Sequence, residues 1–82
     1  MIHHLKAYPE YFQPVKRGEK TFEIRKDDRN FAAGDTLHLY EWNPDTKEYT
    51  EDELIRDVPY ILRGAPFLPE GYCCMSLKER AV

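Results

Sequence analysis

Cysteine is scarce in this sequence, and long apolar runs are missing from it. The two cysteines are neighbours, Cys73 and Cys74, and adjacent residues of a strand point to opposite faces, which disfavours a disulfide between them. They do not have the spacing of metal ligands either, and we expect one of them to be a small core residue and the other to lie nearer the surface. No run is long and apolar enough to cross a membrane, and no signal-peptide pattern opens the chain. We therefore expect a cytoplasmic protein with reduced thiols and with no membrane segment, metal or other cofactor.

Repeats, linkers and low-complexity segments are also missing, so the sequence predicts a single domain over residues 1–82. The net charge of −3 argues against a protein held to nucleic acid by bulk positive charge. The charge is unevenly distributed, however. Residues 16–29 hold six basic and four acidic side chains, whereas residues 35–57 hold two basic and eight acidic ones. Any contact with phosphate is therefore expected in the first half of the chain.

The hydrophobic pattern predicts one early helix and five to six short strands. The helix is expected over residues 9–17, closed by Gly18 in a left-handed conformation, although Pro14 leaves its boundaries open. Its residues Tyr11, Phe12 and Val15 follow helical spacing and are expected to pack on the core. The expected strands cover residues 2–6, 20–26, 36–42, a return arm from Tyr49, 55–63 and 72–77. So many short strands in a small chain indicate an α+β, mainly β fold. We expect a small closed barrel, because closure removes unpaired strand edges.

Residues 18–25, with the sequence GEKTFEIR, form the most informative segment. Strand alternation would place Phe22 and Ile24 in the core and turn Glu23 and Arg25 to the opposite face. Lys20 lies where the strand leaves the turn. The pattern therefore predicts a charged cluster on rigid backbone, which is either a binding site or a set of solvated charges on a half-buried strand.

Each charged side chain of this cluster has two or more interpretations. Lys20 can bind a phosphate or a base carbonyl, act as a nucleophile if its amine is uncharged, or lie on the surface without a role. Glu23 can accept from a base amino group or form a structural ion pair with Arg25. Arg25 offers a planar fork for phosphate or guanine. Lys26 and Arg29 either follow a nucleic-acid backbone or are solvated.

An aromatic row on the strand at 36–42 is a weaker candidate. His38, Tyr40 and Trp42 share one face and could stack unpaired bases, but a very small protein also needs large side chains for packing. We favour packing in the core or at its rim. The neighbouring His3 and His4 point to opposite faces of a strand and do not readily bind one metal.

The segment also resembles a known signature. Gly18, Lys20, Glu23 and Arg25 match the G-x-K-x-x-E-x-R pattern of ASCH domains, a branch of the PUA-like barrels. With the preceding helix and the following Gly34-Asp35 turn, the chain is similar to a small ASCH-like family of bacterial and phage genomes. The resemblance implies a PUA-like barrel and a cleft between the first helix and the signature strand.

Three functions follow as hypotheses. The favoured one is an RNA- or nucleotide-binding module. Its candidate site residues are Lys20, Glu23, Arg25, Lys26 and Arg29, together with His3 and Lys6, which the resemblance adds. The second is an amidohydrolase acting on N4-acetylcytidine-like nucleosides, with Lys20 and Glu23 as catalytic residues. It follows from an ASCH branch that removes the acyl group from N4-acetylcytidine. That branch has threonine at the position of Glu23, so the match of this chain to it is incomplete. The third is a protein-interaction module, suggested by the acidic residues 35–57.

Overall fold

The structure, a computed structural model, describes residues 1–80. Within them the chain forms one helix and seven strands. In chain order these are β1 (Ile2–Ala7), α1 (Pro9–Lys16), β2 (Phe22–Lys26), β3 (Thr36–Asn43), β4 (Glu48–Asp57), β5 (Ile61–Arg63), β6 (Tyr72–Ser76) and β7 (Lys78–Glu79). No helix in this part of the chain has both the length and the apolar composition needed to traverse a lipid bilayer.

The strands form two sheets. The first has the order β1-β3-β4-β7, in which β1 runs parallel to β3 and the other pairs are antiparallel. The second is antiparallel, with the order β2-β6-β5. The fold is therefore α+β and mainly β, but the prediction of a closed PUA-like barrel of five to six strands is wrong, because residues 1–80 form two separate sheets instead.

The barrel was expected because closure protects strand edges, and the structure protects one edge in another way. β1 lies at the end of its sheet. Its carbonyl oxygens at His4 and Lys6 accept hydrogen bonds from the guanidinium groups of Arg29 and Arg25, at 2.9 and 2.7 Å. Side-chain donors from elsewhere in the chain thus satisfy backbone acceptors that a closed barrel would pair with another strand.

The core draws on the helix and on both sheets. Phe12 and Val15 of α1 are at most 2% exposed, and Leu37 and Leu39 of β3 are fully buried, as their spacing predicts. Cys73 is buried and Cys74 is half-buried, with neither in a disulfide, which confirms that one cysteine is a core residue and the other lies nearer the surface.

The main correction to the predicted side-chain positions concerns which face of β2 is buried. Phe22 and Ile24 are 43% and 49% exposed, whereas Glu23 is 6% exposed. The sequence prediction, which placed the two apolar residues in the core, is therefore wrong. Alternation tells which residues share a face, but it does not tell which face is inside. Glu23 can lie inside because two cations neutralise it, as described below.

Two predicted strand boundaries also change. The candidate strand 55–63 is divided, since β4 ends at Asp57 and β5 begins at Ile61. Between them Val58 is fully buried, and its N–H and C=O pair with Asp35 and Gly34 in the turn before β3. These contacts with a distant turn break the strand. The candidate strand 72–77 ends at Ser76, and a short β7 follows it.

The helix forms as one piece despite Pro14, which lies inside it. It ends at Lys16, and Gly18 adopts a positive φ of 80° just beyond it, as predicted. The carbonyl of Pro14 accepts hydrogen bonds from the backbone N–H groups of Glu19 and Lys20, at 2.9 and 3.0 Å. Tyr11 was predicted to pack in the core, but it is 53% exposed. It faces the cavity that forms the candidate site.

Candidate ligand-binding site

A cavity of about 560 Å³ lies between the end of β1, the helix and β2. Its walls are residues 6–8, Tyr11, Lys20 and residues 22–25. Its volume falls in the range of roughly 300–1,000 Å³ that is usual for small-molecule sites. The cavity therefore has the size of a ligand site, and it is built from three elements that follow one another in the sequence.

Glu23 is the buried centre of the charged cluster. One carboxylate oxygen, Oε1, accepts from Lys20 Nζ at 3.1 Å, and the other, Oε2, accepts from Arg25 Nε at 2.6 Å. The Glu23 side chain is 7% exposed, whereas Lys20 and Arg25 are 18% and 27% exposed. A buried carboxylate is tolerated only when it is paired. The structure thus confirms that these three side chains lie together, and the cluster has one excess positive charge.

Arg25 connects the two sheets at this point. Besides its contact with Glu23, its Nη2 donates to the backbone carbonyl of Lys6 at 2.7 Å. The guanidinium group has five N–H donors in a fixed plane. The two contacts fix the orientation of this plane and leave further donors for a ligand.

Aromatic rings accompany the lysines around the cavity. Lys6 Nζ lies 4.0 Å from the centroid of the Trp42 ring, and Lys20 Nζ lies 5.1 Å from the centroid of the Phe22 ring. Both distances are within the cation–π range. Tyr8 approaches Trp42 at a ring separation of 5.8 Å. Each lysine of the cavity wall therefore lies against an aromatic ring.

Sequence reasoning missed the apolar part of this site. Tyr8, Tyr11, Phe22 and Ile24 line the cavity and are between 41% and 53% exposed. Apolar residues at strand or helix spacing are usually core residues, and for this reason three of them were assigned to the core. The sequence offers no signal for Tyr11, because it lies four residues before Val15 and so shares a helical face with a core residue.

His3 lies away from the cavity wall. It is 5% exposed, its Nε2 is 2.8 Å from Asp35 Oδ2, and its ring meets Phe31 edge-on at 4.6 Å. Asp35 also accepts from the backbone N–H of Ala32 and from the terminal amine of Met1. The bond to His3 is the largest cause of a lowered pKa at Asp35, with burial acting in the opposite direction. His3 thus holds β1 to the turn before β3.

Two other predicted site residues also lie outside the wall of the cavity. Lys26 is exposed at the end of β2. Arg29 Nη1 donates to the carbonyl of His4 at 2.9 Å and supports the edge of β1. The structure therefore brings Lys6, Lys20 and the pair Glu23–Arg25 to the cavity and places His3, Lys26 and Arg29 elsewhere.

The remaining reactive groups do not add a metal centre or a nucleophile to this cavity. In the described part of the chain, no group of three or more histidine, cysteine or carboxylate side chains is arranged to hold a metal ion. Burial is the largest cause of a raised pKa at the Cys73 thiol. A thiol in such surroundings stays protonated and unreactive at neutral pH.

Comparison with known proteins places this architecture in a family. The model of a family described as a domain of unknown function, DUF3850, matches residues 2–77. A similar protein is the uncharacterised 12.9 kDa protein in the GpA 3′ region of Escherichia phage P2, which is 51% identical over 41 residues. That alignment covers 50% of this chain and 38% of the phage protein, so the chain spans well under two thirds of its relative's length. Since the family model matches residues 2–77 of the 82, the chain belongs to the DUF3850 family.

Proposed function

We propose that this protein binds RNA or a nucleotide in the cavity between β1, α1 and β2. The observation that carries the proposal is the position of the Lys20–Glu23–Arg25 cluster against the aromatic wall of one cavity. A nucleotide combines a flat apolar base with an anionic phosphate. The cavity offers surfaces for both parts within one volume.

The charge of the cavity supports an anionic ligand. Three cations, Lys6, Lys20 and Arg25, line it together with one carboxylate, Glu23. The protein as a whole has a net charge of −3. A local positive region in a negatively charged protein attracts phosphate to that region and repels it from the rest of the surface.

The aromatic wall supports the base. Tyr8, Tyr11 and Phe22 expose about half of their surface or slightly less at the cavity. A base stacked on one such ring gains about 1–3 kcal/mol. Each carboxylate oxygen has two lone pairs, so Glu23 can still accept a hydrogen bond from the exocyclic amine of cytosine or adenine.

The contacts of Lys20 favour binding over hydrolysis. A nucleophilic lysine must present an uncharged amine to its substrate. Lys20 instead forms an ion pair with a buried carboxylate. The same contact suits a group that supplies a fixed positive charge.

The internal contacts of the acidic residues argue against the protein-interaction hypothesis. Several carboxylates of the segment 35–57 already have partners within the chain. Asp35 contacts a histidine, Glu41 a glutamine and a threonine, Asp52 a lysine and Asp57 an arginine. The segment therefore presents a weaker acidic surface than its composition indicates.

A titration tests the proposal. Fluorescence-labelled single-stranded RNA and 5′-mononucleotides are titrated with the wild type and with Lys20→Ala, Arg25→Ala and Lys78→Ala at low and at moderate salt. Lys78→Ala is the matched control, because it removes one exposed positive charge on β7, away from the cavity. We expect binding by the wild type and the control, and a loss of about tenfold or more for each cavity variant. Equal binding by all four proteins, or no binding by the wild type at low salt, would contradict the proposal.

A further inference from the structure

A second, smaller cavity lies next to the first on the outer face of the four-stranded sheet. Its volume is about 370 Å³, and its walls are His4, Leu5, Lys6, Tyr40 and Tyr49. Lys6 lines both cavities. A ligand longer than one nucleotide could therefore pass from one cavity to the other alongside this lysine.

A chain of side-chain hydrogen bonds crosses three strands behind this second cavity. Glu53 Oε1 lies 3.2 Å from His38 Nε2, and His38 Nδ1 lies 3.2 Å from the Tyr40 hydroxyl. The same hydroxyl lies 3.0 Å from His4 Nδ1. The His38 and Tyr40 rings are also stacked at 4.3 Å. The four groups thus form one connected row.

When both histidines are neutral, the chemistry of the groups fixes which member of each hydrogen-bonded pair is the donor. An ionised glutamate can only accept a hydrogen bond, so His38 Nε2 donates to Glu53. In neutral His38 the other nitrogen then accepts, and Tyr40 donates its single proton to it. The Tyr40 oxygen is left to accept from His4 Nδ1. His4 Nε2 consequently has a free lone pair, and within residues 1–80 the structure gives this nitrogen no hydrogen-bond partner.

We propose that the second cavity holds the next nucleotide of a bound RNA strand and that His4 Nε2 accepts a hydrogen bond from it. This inference rests on the proposed function of the first cavity. The donor on the ligand is a ribose 2′-hydroxyl or a base amine, and both chemistries suit a nitrogen lone pair. Tyr49, which is 59% exposed, offers a ring for stacking.

The charges along β1 agree with a strand that spans both cavities. Lys6 lies between them, while Arg25 and Arg29 donate to the carbonyls of Lys6 and His4 along the open edge of β1. Three cations therefore follow the direction in which a phosphate backbone would run. Lys6 is the group that would meet the phosphate joining the two nucleotides.

Binding as a function of ligand length tests the inference. Wild-type protein is titrated with a 5′-phosphorylated mononucleotide and with RNA and DNA dinucleotides of the same bases. We expect the RNA dinucleotide to bind roughly tenfold more tightly than the mononucleotide, from one added stacking contact and hydrogen bond. A weaker DNA dinucleotide would identify the 2′-hydroxyl as the donor to His4, and equal RNA and DNA affinities would identify a base amine.

The variant Tyr40→Phe removes the bridging hydroxyl and keeps the ring. We expect it to reduce dinucleotide affinity severalfold and to leave mononucleotide affinity unchanged, whereas the control Tyr60→Phe, just before β5 of the other sheet, should change neither. ¹⁵N NMR of the imidazoles should find protonated Nδ1 at His4 and protonated Nε2 at His38 in the wild type, and this preference at His4 should be lost in Tyr40→Phe.

Two results would overturn the inference while the proposed function stands. One is a dinucleotide that binds no more tightly than a mononucleotide whose affinity depends on Lys20. The other is the opposite tautomer of His4, with its proton on Nε2. If neither ligand binds the wild type, the proposed function itself fails and the inference fails with it.

Discussion

At position 23 a carboxylate lies inside the protein, and each of its oxygens accepts from a different cation, Lys20 or Arg25. This arrangement explains how a glutamate can occupy the inward face of β2, and it fixes the two groups that would meet a ligand. The site therefore depends on the buried acid as well as on the two cations, because its carboxylate contacts both of them.

The variant Glu23→Gln tests this dependence. An amide can accept from only one of the two cations and presents its NH₂ group to the other, so we expect a loss of about 2 kcal/mol in the free energy of unfolding. Urea denaturation measures it. The matched control is Glu19→Gln, which breaks an ion pair with Arg17 on the exposed surface and should leave the unfolding curve unchanged. Equal curves for the two variants would contradict the role assigned to Glu23.

Asp35 contributes to the response of the protein to acid. Its pKa is lowered in the folded state, mainly by the hydrogen bond from His3. The unfolded chain therefore binds a proton more readily than the folded one. The stability from this group is fully present above the ordinary aspartate pKa of about 4 and is lost as the pH falls through the lower folded value.

We accordingly expect Asp35→Asn to be less stable than the wild type at neutral pH, by about 2 kcal/mol from lost hydrogen bonds. We also expect its stability to fall less steeply below pH about 4. Urea unfolding at a series of pH values measures both effects. Asp45→Asn in the exposed β3–β4 turn is the control and should follow the wild-type curve. A variant curve parallel to the wild type throughout the acid range would be inconsistent with this role of Asp35.

Residue types and spacing were enough to predict which charged side chains meet. Lys20, Glu23 and Arg25 are close in sequence, so local geometry brings them together. The inward face of β2 could not be predicted in this way, because it depends on contacts with β1 through Arg25 and Lys6. His3 was assigned to the cleft by resemblance, and its buried position depends on Asp35, which is 32 residues away.

At the scale of elements, the turn between α1 and β2 places Lys20 at the cavity. Gly18 adopts a φ of 80°, and the next two N–H groups bond to the carbonyl of Pro14. A positive φ at this point lets the chain reverse direction without strain. The end of α1 and the start of β2 are therefore one structural unit.

The variant Gly18→Ala should destabilise the protein by about 1 kcal/mol, because an L-residue resists the left-handed conformation. A Cβ at this position would have no heavy atom within 4 Å apart from those of its two chain neighbours, so the cost comes from the backbone and not from a clash. Gly18→Asn, which tolerates this conformation better, should lose less. Thermal unfolding measures both variants. If alanine and asparagine had equal effects, the backbone explanation would be wrong.

Elements defined by local signals could be predicted, and those defined by distant contacts could not. The helix with its glycine end and the strand β3 follow from local periodicity. The break after Asp57 arises from the pairing of Val58 with the turn at residues 34–35, and β7 forms only by pairing with the end of β4. Neither contact leaves a pattern in the adjacent sequence.

At the scale of the whole molecule, the charges are separated between segments of the chain and not between the two sheets. The basic residues of the cavity lie on β1, β2 and the turn before β2, and the acidic residues are concentrated on β4, which belongs to the same sheet as β1. The barrel prediction failed at this scale, because the number of short strands does not determine whether they join into one sheet. The covering of the β1 edge by Arg25 and Arg29 depends on the three-dimensional fold.

The small number of cavity cations predicts a shallow dependence of RNA affinity on salt. If a bound strand neutralises about two phosphates, log Kd should change with log salt concentration with a slope of about 1.4. Lys20→Ala should reduce the slope by about 0.7, whereas Lys78→Ala should leave it unchanged. Titrations at four or more salt concentrations measure the slope. A steep slope that is equal in all three proteins would indicate binding by diffuse charge instead of by the cavity.

The central claim is that the cavity between β1, α1 and β2 receives the ligand, and an NMR titration tests it most directly. Uniformly ¹⁵N-labelled protein is titrated with a 5′-phosphorylated mononucleotide, and the backbone amide shifts are followed by residue. We predict saturable shift changes at residues 6–8, at Tyr11 and at residues 20–25, with loss of saturation in Lys20→Ala. Changes confined to the acidic β3–β4 hairpin, or no saturable change anywhere, would contradict the account.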